Sequence, residues 1–206
     1  MNPKEIRAIL ESYFVPLPDG VEYKVQKYIG LLDTWGRKMP LTSIRDHEEI
    51  VRFHFGESIF ALSLVQMTNG RLADVGSGAG FPGLALKLVE SSISLTLIEP
   101  NKKKCAFLHE AVRSLDLKGT EIISSAFESS QLTTKSSSFV TSRALGQHSS
   151  IVDWAREKLE PGGSILLWLA ERDCKALATI GGWQWHAPEL IPGTRERFVL
   201  RGSPIP

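Results

Sequence analysis

The stretch Leu72-Ala73-Asp74-Val75-Gly76-Ser77-Gly78-Ala79-Gly80-Phe81-Pro82-Gly83 constrains the fold more than any other part of the chain. A short apolar run ends in Asp74, three alternate glycines follow, and Pro82 opens a helix-like segment. Strand, glycine-rich turn and helix in that order form the ligand-gripping edge of an open α/β sheet. Gly76, Gly78 and Gly80 permit positive φ and let the backbone approach a ligand that a Cβ would hold off. Glu99 closes a second apolar run, Leu95-Thr96-Leu97-Ile98, about twenty residues on, where a carboxylate can accept ribose hydroxyls.

Two ligands compete for this turn. From Gly78 the residues fit G-x-G-x-x-G, the dinucleotide fingerprint. A pyrophosphate, however, needs free N–H groups at the helix N-terminus, and Pro82 has none to give. From Asp74 the run D-x-G-x-G-x-G resembles the S-adenosylmethionine (SAM) site of class I methyltransferases. SAM carries no phosphate, and its cationic methionine end suits an acid beside the turn. SAM is the favoured cofactor, with Asp74, Gly76, Ser77, Gly78, Gly80 and Glu99 as candidate contacts; an NAD-dependent dehydrogenase is the weaker alternative.

From residue 71 onward, strands and helices alternate, which predicts a largely parallel, Rossmann-like sheet covered on both faces. Strands are expected at 71–75, 94–98, 120–124, 138–142 and 164–169, with helices at 82–90, 101–115 and 148–158. Two further strands, near 184–191 and 196–201, would form an antiparallel edge hairpin around Pro192-Gly193 and bring the sheet to seven. Residues 124–138, rich in Ser and Thr, read as a loop over the ligand edge. Residues 1–70 read as an N-terminal helical extension and 71–206 as the SAM-binding domain. In the extension, Asn2-Pro3-Lys4-Glu5 starts a helix to about Phe14, Asp19 opens one through Trp35, Asp46 caps a third, and a fourth follows over 57–65.

At 206 residues and 42% hydrophobic, the chain can bury a sizeable core. Cys105 and Cys174 stand far apart in no metal-ligand pattern and read as reduced thiols. There is no apolar run of membrane-spanning length and no signal-peptide character at the start, so a cytoplasmic protein is expected. A net charge of +1 does not advertise nucleic-acid binding, so any RNA contact must come from a local patch.

Across most of the chain the motifs resemble the bacterial small-subunit ribosomal RNA guanine-N7 methyltransferases, the glucose-inhibited division protein B family. They are Leu31-Leu32-x-x-Trp35, Leu41-Thr42-x-Ile44-Arg45, Glu49-Ile50-Val51-x-x-His54-Phe55-x-x-Ser58, the glycine stretch, Glu99-x-x-Lys102-Lys103-Lys104-x-Ala106-Phe107-Leu108, Ser142-Arg143-Ala144 and Glu196-Arg197. The resemblance implies methyl transfer from SAM to N7 of a guanine in the 16S rRNA of the small ribosomal subunit. It implies a monomer that needs no metal and no membrane. Guanine N7 is a free lone pair, so in-line attack on the sulfonium methyl needs no general base, and no catalytic side chain is assigned. Positioning and electrostatics carry the rate.

The family pattern carries SAM contacts to Gly76, Phe81, Glu99, Phe127, Glu128 and Arg143. It makes His54, Arg143 and Arg197 candidates for positioning the RNA. Lys102 and Lys103, at the start of the helix after Glu99, are candidates for phosphate contact. The chain departs from the pattern at Gly36 and Pro40 (Asn in the family), Ala126 (Arg), Ser138 (Asp) and Ala170-Glu171 (Lys-Gly). Pro40 and Ala170 matter most, because both belong on the substrate side. They keep two alternatives open: a methyltransferase for another RNA or small molecule, and a SAM- and RNA-binding protein without turnover.

Overall fold

The computed structural model describes residues 1–143 and 146–205; Ala144 of the Ser142-Arg143-Ala144 motif lies outside them. The parallel strands are β1 (Arg71–Val75), β2 (Ser94–Ile98), β3 (Thr120–Ile123), β4 (Ser137–Arg143) and β5 (Leu159–Ala170), and β8 (Arg197–Pro204) runs antiparallel beside β5. The order is β3-β2-β1-β4-β5-β8, and the far side of β8 is filled by two short pieces, β6 (Trp183–Trp185) and β7 (Glu189–Leu190). The outer strand expected over 184–191 is therefore broken in two around His186-Ala187-Pro188, and among the described residues eight strands replace seven in the same seven positions. Pro188 interrupts the pairing because it has no N–H for the ladder. Arg197 is not on an edge strand, since β8 is paired on both sides.

Side-chain alternation shows why the sheet must be covered twice. Leu72, Leu95, Leu97, Leu166 and Trp168 join one core, while Ala73, Val75, Ile98, Ile165, Leu167 and Leu169 join the other. Successive strand residues point to opposite faces, so strands with apolar residues on both sides need helices on both. The second face is closed by α7 (His148–Lys158) and by α8 (Glu171–Leu177), a helix not expected from the sequence. The first is closed by α5 (Gly83–Val89), α6 (Lys102–Ser114) and the N-terminal helices α1 (Pro3–Glu11) and α2 (Val21–Gly36). Asn2 caps α1 in a reciprocal box with Glu5, and Asn101 caps α6 by accepting from the amides of Lys103 and Lys104.

The third and fourth expected helices are one irregular unit. A single turn, α3 (His47–Ile50), widens into a π-helical turn over Val51–Gly56, followed by α4 (Glu57–Ile59) and a 3-10 turn at Phe60–Ser63. Side chains from other elements reach its carbonyls. Tyr13 donates its hydroxyl to the Arg52 carbonyl at 2.9 Å, and Arg143 donates to that of Phe53 at 3.0 Å. Widened turns of this kind concentrate at functional sites.

Candidate active site

The site lies where the strand order reverses, beyond the C-terminal ends of β1 and β4, the usual ligand crevice of an open α/β sheet. Gly76, Gly78 and Gly80 have φ of 70, 57 and 83°. Their reasons differ. A Cβ on Gly78 would meet only the Gly76 carbonyl at 3.7 Å, so the space beside it is open to a ligand. A Cβ on Gly80 would strike the Tyr28 hydroxyl and Leu84, so Gly80 serves packing rather than ligand approach. Tyr28 donates to the Ala79 carbonyl at 2.6 Å and locks the turn to α2.

Asp74 and Ser77 face inward. The Asp74 carboxylate is fully buried; it accepts from Thr141 Oγ1 at 2.8 Å and from the Gly83 amide at 3.2 Å. Ser77 donates to the Asp74 carbonyl at 2.9 Å. Burial raises Asp74 to about 6, against the pull of its hydrogen bonds from Thr141, Ser77 and Gly83. In this structure both residues hold the turn between β1, β4 and α5. Because the Gly83 amide at the start of α5 is taken by Asp74, it is not presented to a pyrophosphate.

Glu99, 4% exposed, accepts from the Gly78 amide at 2.9 Å and the Asn101 amide at 2.8 Å. Each oxygen keeps a lone pair for a ligand hydroxyl. Beside it opens a cavity of about 300 Å³ lined by Gly76, Ile98, Pro100, Ala126, Phe127, Glu128 and Gln147. Phe127 is buried, edge-on to Trp154 at 5.9 Å, and supplies a wall rather than a side-chain handle. Glu128 is exposed at the rim. Apolar walls, a glycine backbone and a second-strand carboxylate fit a purine nucleoside, so the residues present suit SAM.

A second cavity, about 320 Å³, is lined by Ile44, Phe53, His54, Glu57, Arg143, Trp168, Leu169, Ala170, Ile191 and Arg197. It gathers His54, Arg143 and Arg197 from three remote segments. Phe81 lies behind it, buried, stacked on His54 at 4.8 Å and with the Arg143 guanidinium 5.4 Å from its ring centre. Arg143 Nη2 lies 3.1 Å from His54 Nδ1. Arginine can only donate, so Nδ1 accepts and the imidazole proton sits on Nε2, given to Thr42 Oγ1 at 2.6 Å. Burial and then the Arg143 charge lower His54 to about 3, so the ring is neutral with both nitrogens engaged. Burial also brings Arg143 down to about 10, still protonated at neutral pH.

Glu57 is the site residue that sequence reading missed. It is 2% exposed, lies 3.0 Å from Arg197 Nη1, and burial raises it to about 7 against the charges of Arg197 and Arg143. The available signal was its place one turn after His54, three residues along a helical face. Arg197 also covers the Phe53 ring at 4.7 Å. Lys102 and Lys103 are exposed at the start of α6, two residues beyond the Pro100 wall of the first cavity. Among the departures, Ala126 and Ala170 line the first and second cavities, whereas Ser138 pairs with Glu160 near the start of β4, away from the ligand edge. No group of His, Cys, Asp or Glu placed to hold a metal occurs among the described residues, and no helix there is long and apolar enough to cross a membrane.

A glycine turn at the switch point, a carboxylate ending the second strand, and an antiparallel strand after five parallel ones define the class I SAM-dependent methyltransferases. The SAM-dependent methyltransferase of Aquifex aeolicus shares the fold, with a TM-score of 0.63 over 76% of this chain and 93% of that one, at 15% identity. Residues 22–179 match the family described as rRNA small subunit methyltransferase G, and the chain belongs to that family. The ribosomal RNA small subunit methyltransferase G of Wolinella succinogenes is 34% identical over 79% of this chain and 82% of its own length. That of Roseiflexus castenholzii is 33% identical over 98% of this chain and 92% of its own. The chain is a methyltransferase and SAM is its cofactor.

Proposed function

We propose that the enzyme, as a cytoplasmic monomer, methylates N7 of a guanine in the 16S rRNA of the small ribosomal subunit. The supporting observation is a base-sized cavity beside the cofactor cleft in which the one histidine is neutral and has both ring nitrogens occupied. SAM, when bound, supplies an electrophilic methyl on a sulfonium. The N7 lone pair forms the new C–N bond as the S–C bond breaks, and no proton need leave. The chain's residues then have only to hold and orient the reacting groups. Gly76, Gly78 and Glu99 would hold the nucleoside end, and Ile98, Pro100 and Phe127 would exclude water from it. Arg143, braced by the Phe53 carbonyl and His54, stands at the end of β4, next to the β1 end that Ser142 pins through the Val75 carbonyl at 3.0 Å.

The test is methyl transfer from labelled SAM to small ribosomal subunits lacking the mark, with the modified base mapped. Label at one guanine N7 is expected. No label from an enzyme that binds SAM by calorimetry would overturn the substrate assignment. A different RNA or a small molecule is the second reading. It is favoured by Ala170, which puts a methyl group on the second cavity where the family pattern has a lysine.

A further inference from the structure

We propose that Glu57 selects guanine in the second cavity, its carboxylate accepting hydrogen bonds from N1–H and the N2 amino group of the target base. The inference rests on the guanine-methylation reading and adds the group that recognises the base. Glu57 is almost wholly buried, yet its Oε1 accepts no hydrogen bond from any described residue. Arg197 Nη1 lies 3.0 Å from Oε1 but directs its hydrogen bond to Oε2 at 3.3 Å. A buried carboxylate oxygen without a donor is costly, and such groups in a cavity wall call for a partner. The main chain that carries it is anchored as well: the Trp168 indole N–H, itself on the cavity wall, donates to the Glu57 backbone carbonyl at 2.7 Å.

The chemistry of the missing partner follows from the acceptor. A carboxylate wants two parallel donors, and among the standard bases guanine offers them on its Watson–Crick edge, with the O6 acceptor alongside. Arg197, held beside Glu57 and over the Phe53 ring, is a cationic donor suited to O6. Adenine would set its N1 lone pair against the carboxylate. Methylation at N7 leaves the purine positively charged, and a fixed carboxylate on that base stabilises the charge as it develops.

The decisive experiment compares small subunits reconstituted with guanosine or inosine at the mapped position, using wild-type enzyme and Glu57→Gln. Inosine keeps N7, O6 and N1–H and lacks only the N2 amine. Wild type is expected to have a kcat/KM about 10- to 100-fold higher on guanosine, the range for one missing hydrogen-bond pairing at a base edge. Glu57→Gln is expected to lose about as much on guanosine and to bring the guanosine-to-inosine ratio near one, with SAM binding by calorimetry unchanged. Equal rates of wild type on the two substrates overturn the inference without recourse to any variant. So does a Glu57→Gln enzyme that is slow on both but keeps the wild-type ratio, the result for a structural or general-base role. No label on the guanosine subunits with wild type overturns the methylation reading, and this inference with it.

Discussion

His54 sits where a protonated imidazole would be expensive, between the Phe81 ring and the Arg143 guanidinium. Its value in the fold, about 3, lies below the ordinary 6.5, so between these values the folded chain binds fewer protons than the unfolded one. The stability this contributes is present above pH 6.5 and is lost as pH falls. Asp74 and Glu57 are raised instead, and their contributions run the other way, gaining as pH falls through about 6 and about 7 respectively. The histidine must therefore be isolated by comparison with a variant. Between pH 7.5 and 5, wild type should lose about 2 kcal/mol more unfolding free energy than His54→Gln. Urea melts at the two pH values measure it, and parallel losses would show that His54 charges within the folded protein. From sequence alone His54 was as much a core residue as an RNA contact. Its neighbours Thr42 and Arg143 lie 12 and 89 residues away, and no local pattern reports them.

At the scale of elements, α6 carries Lys102, Lys103 and Lys104 in its first turn, with no acid there. Helix N-termini are positive, so three cations at this end oppose the dipole and are retained at a cost. Anionic RNA at the mouth of the cofactor cleft would offset it. Replacing Lys102 and Lys103 by Gln should weaken binding to small subunits while leaving SAM affinity unchanged. It should also flatten the dependence of log affinity on log salt by about 0.7 to 0.9 for each phosphate left without its lysine. An unchanged salt slope would return these lysines to an ordinary solvated face. The π-helical turn is the other telling element. Its residues read as plain helix, because the acidic start at Asp46 and the apolar spacing are those of a helix. The widening is supported by partners outside it, with Tyr13 and Arg143 donating to its carbonyls and the Tyr13 ring packed where a Cβ on Gly56 would stand.

Over the whole molecule, residues 1–70 share one core with the sheet. Ile6, Leu10, Tyr13, Tyr28 and Phe55 are buried in the same cluster as Leu72, Phe81, Leu84 and Phe107. Removing residues 1–16 would strip away Ile6 and Leu10, worth about 3–6 kcal/mol together. That is a large part of the stability of an ordinary domain, about 5–15 kcal/mol. A chain of residues 17–206 should melt far below the full chain or fail to melt cooperatively; an unchanged melting temperature would show an independent extension. The sequence by itself determined the strand–turn–helix frame, the parallel sheet, the two covered faces and the meeting of the glycine turn with Glu99. All of these follow from periodicity, glycine and proline chemistry, and short spacings along the chain. Only the tertiary structure decided the inward turn of Asp74 and Ser77, the packing duty of Gly80, and the cage that joins Glu57 to Arg197 across 140 residues. The roles of buried polar groups are set by the partners that desolvation forces on them, and those partners come together only when the chain closes.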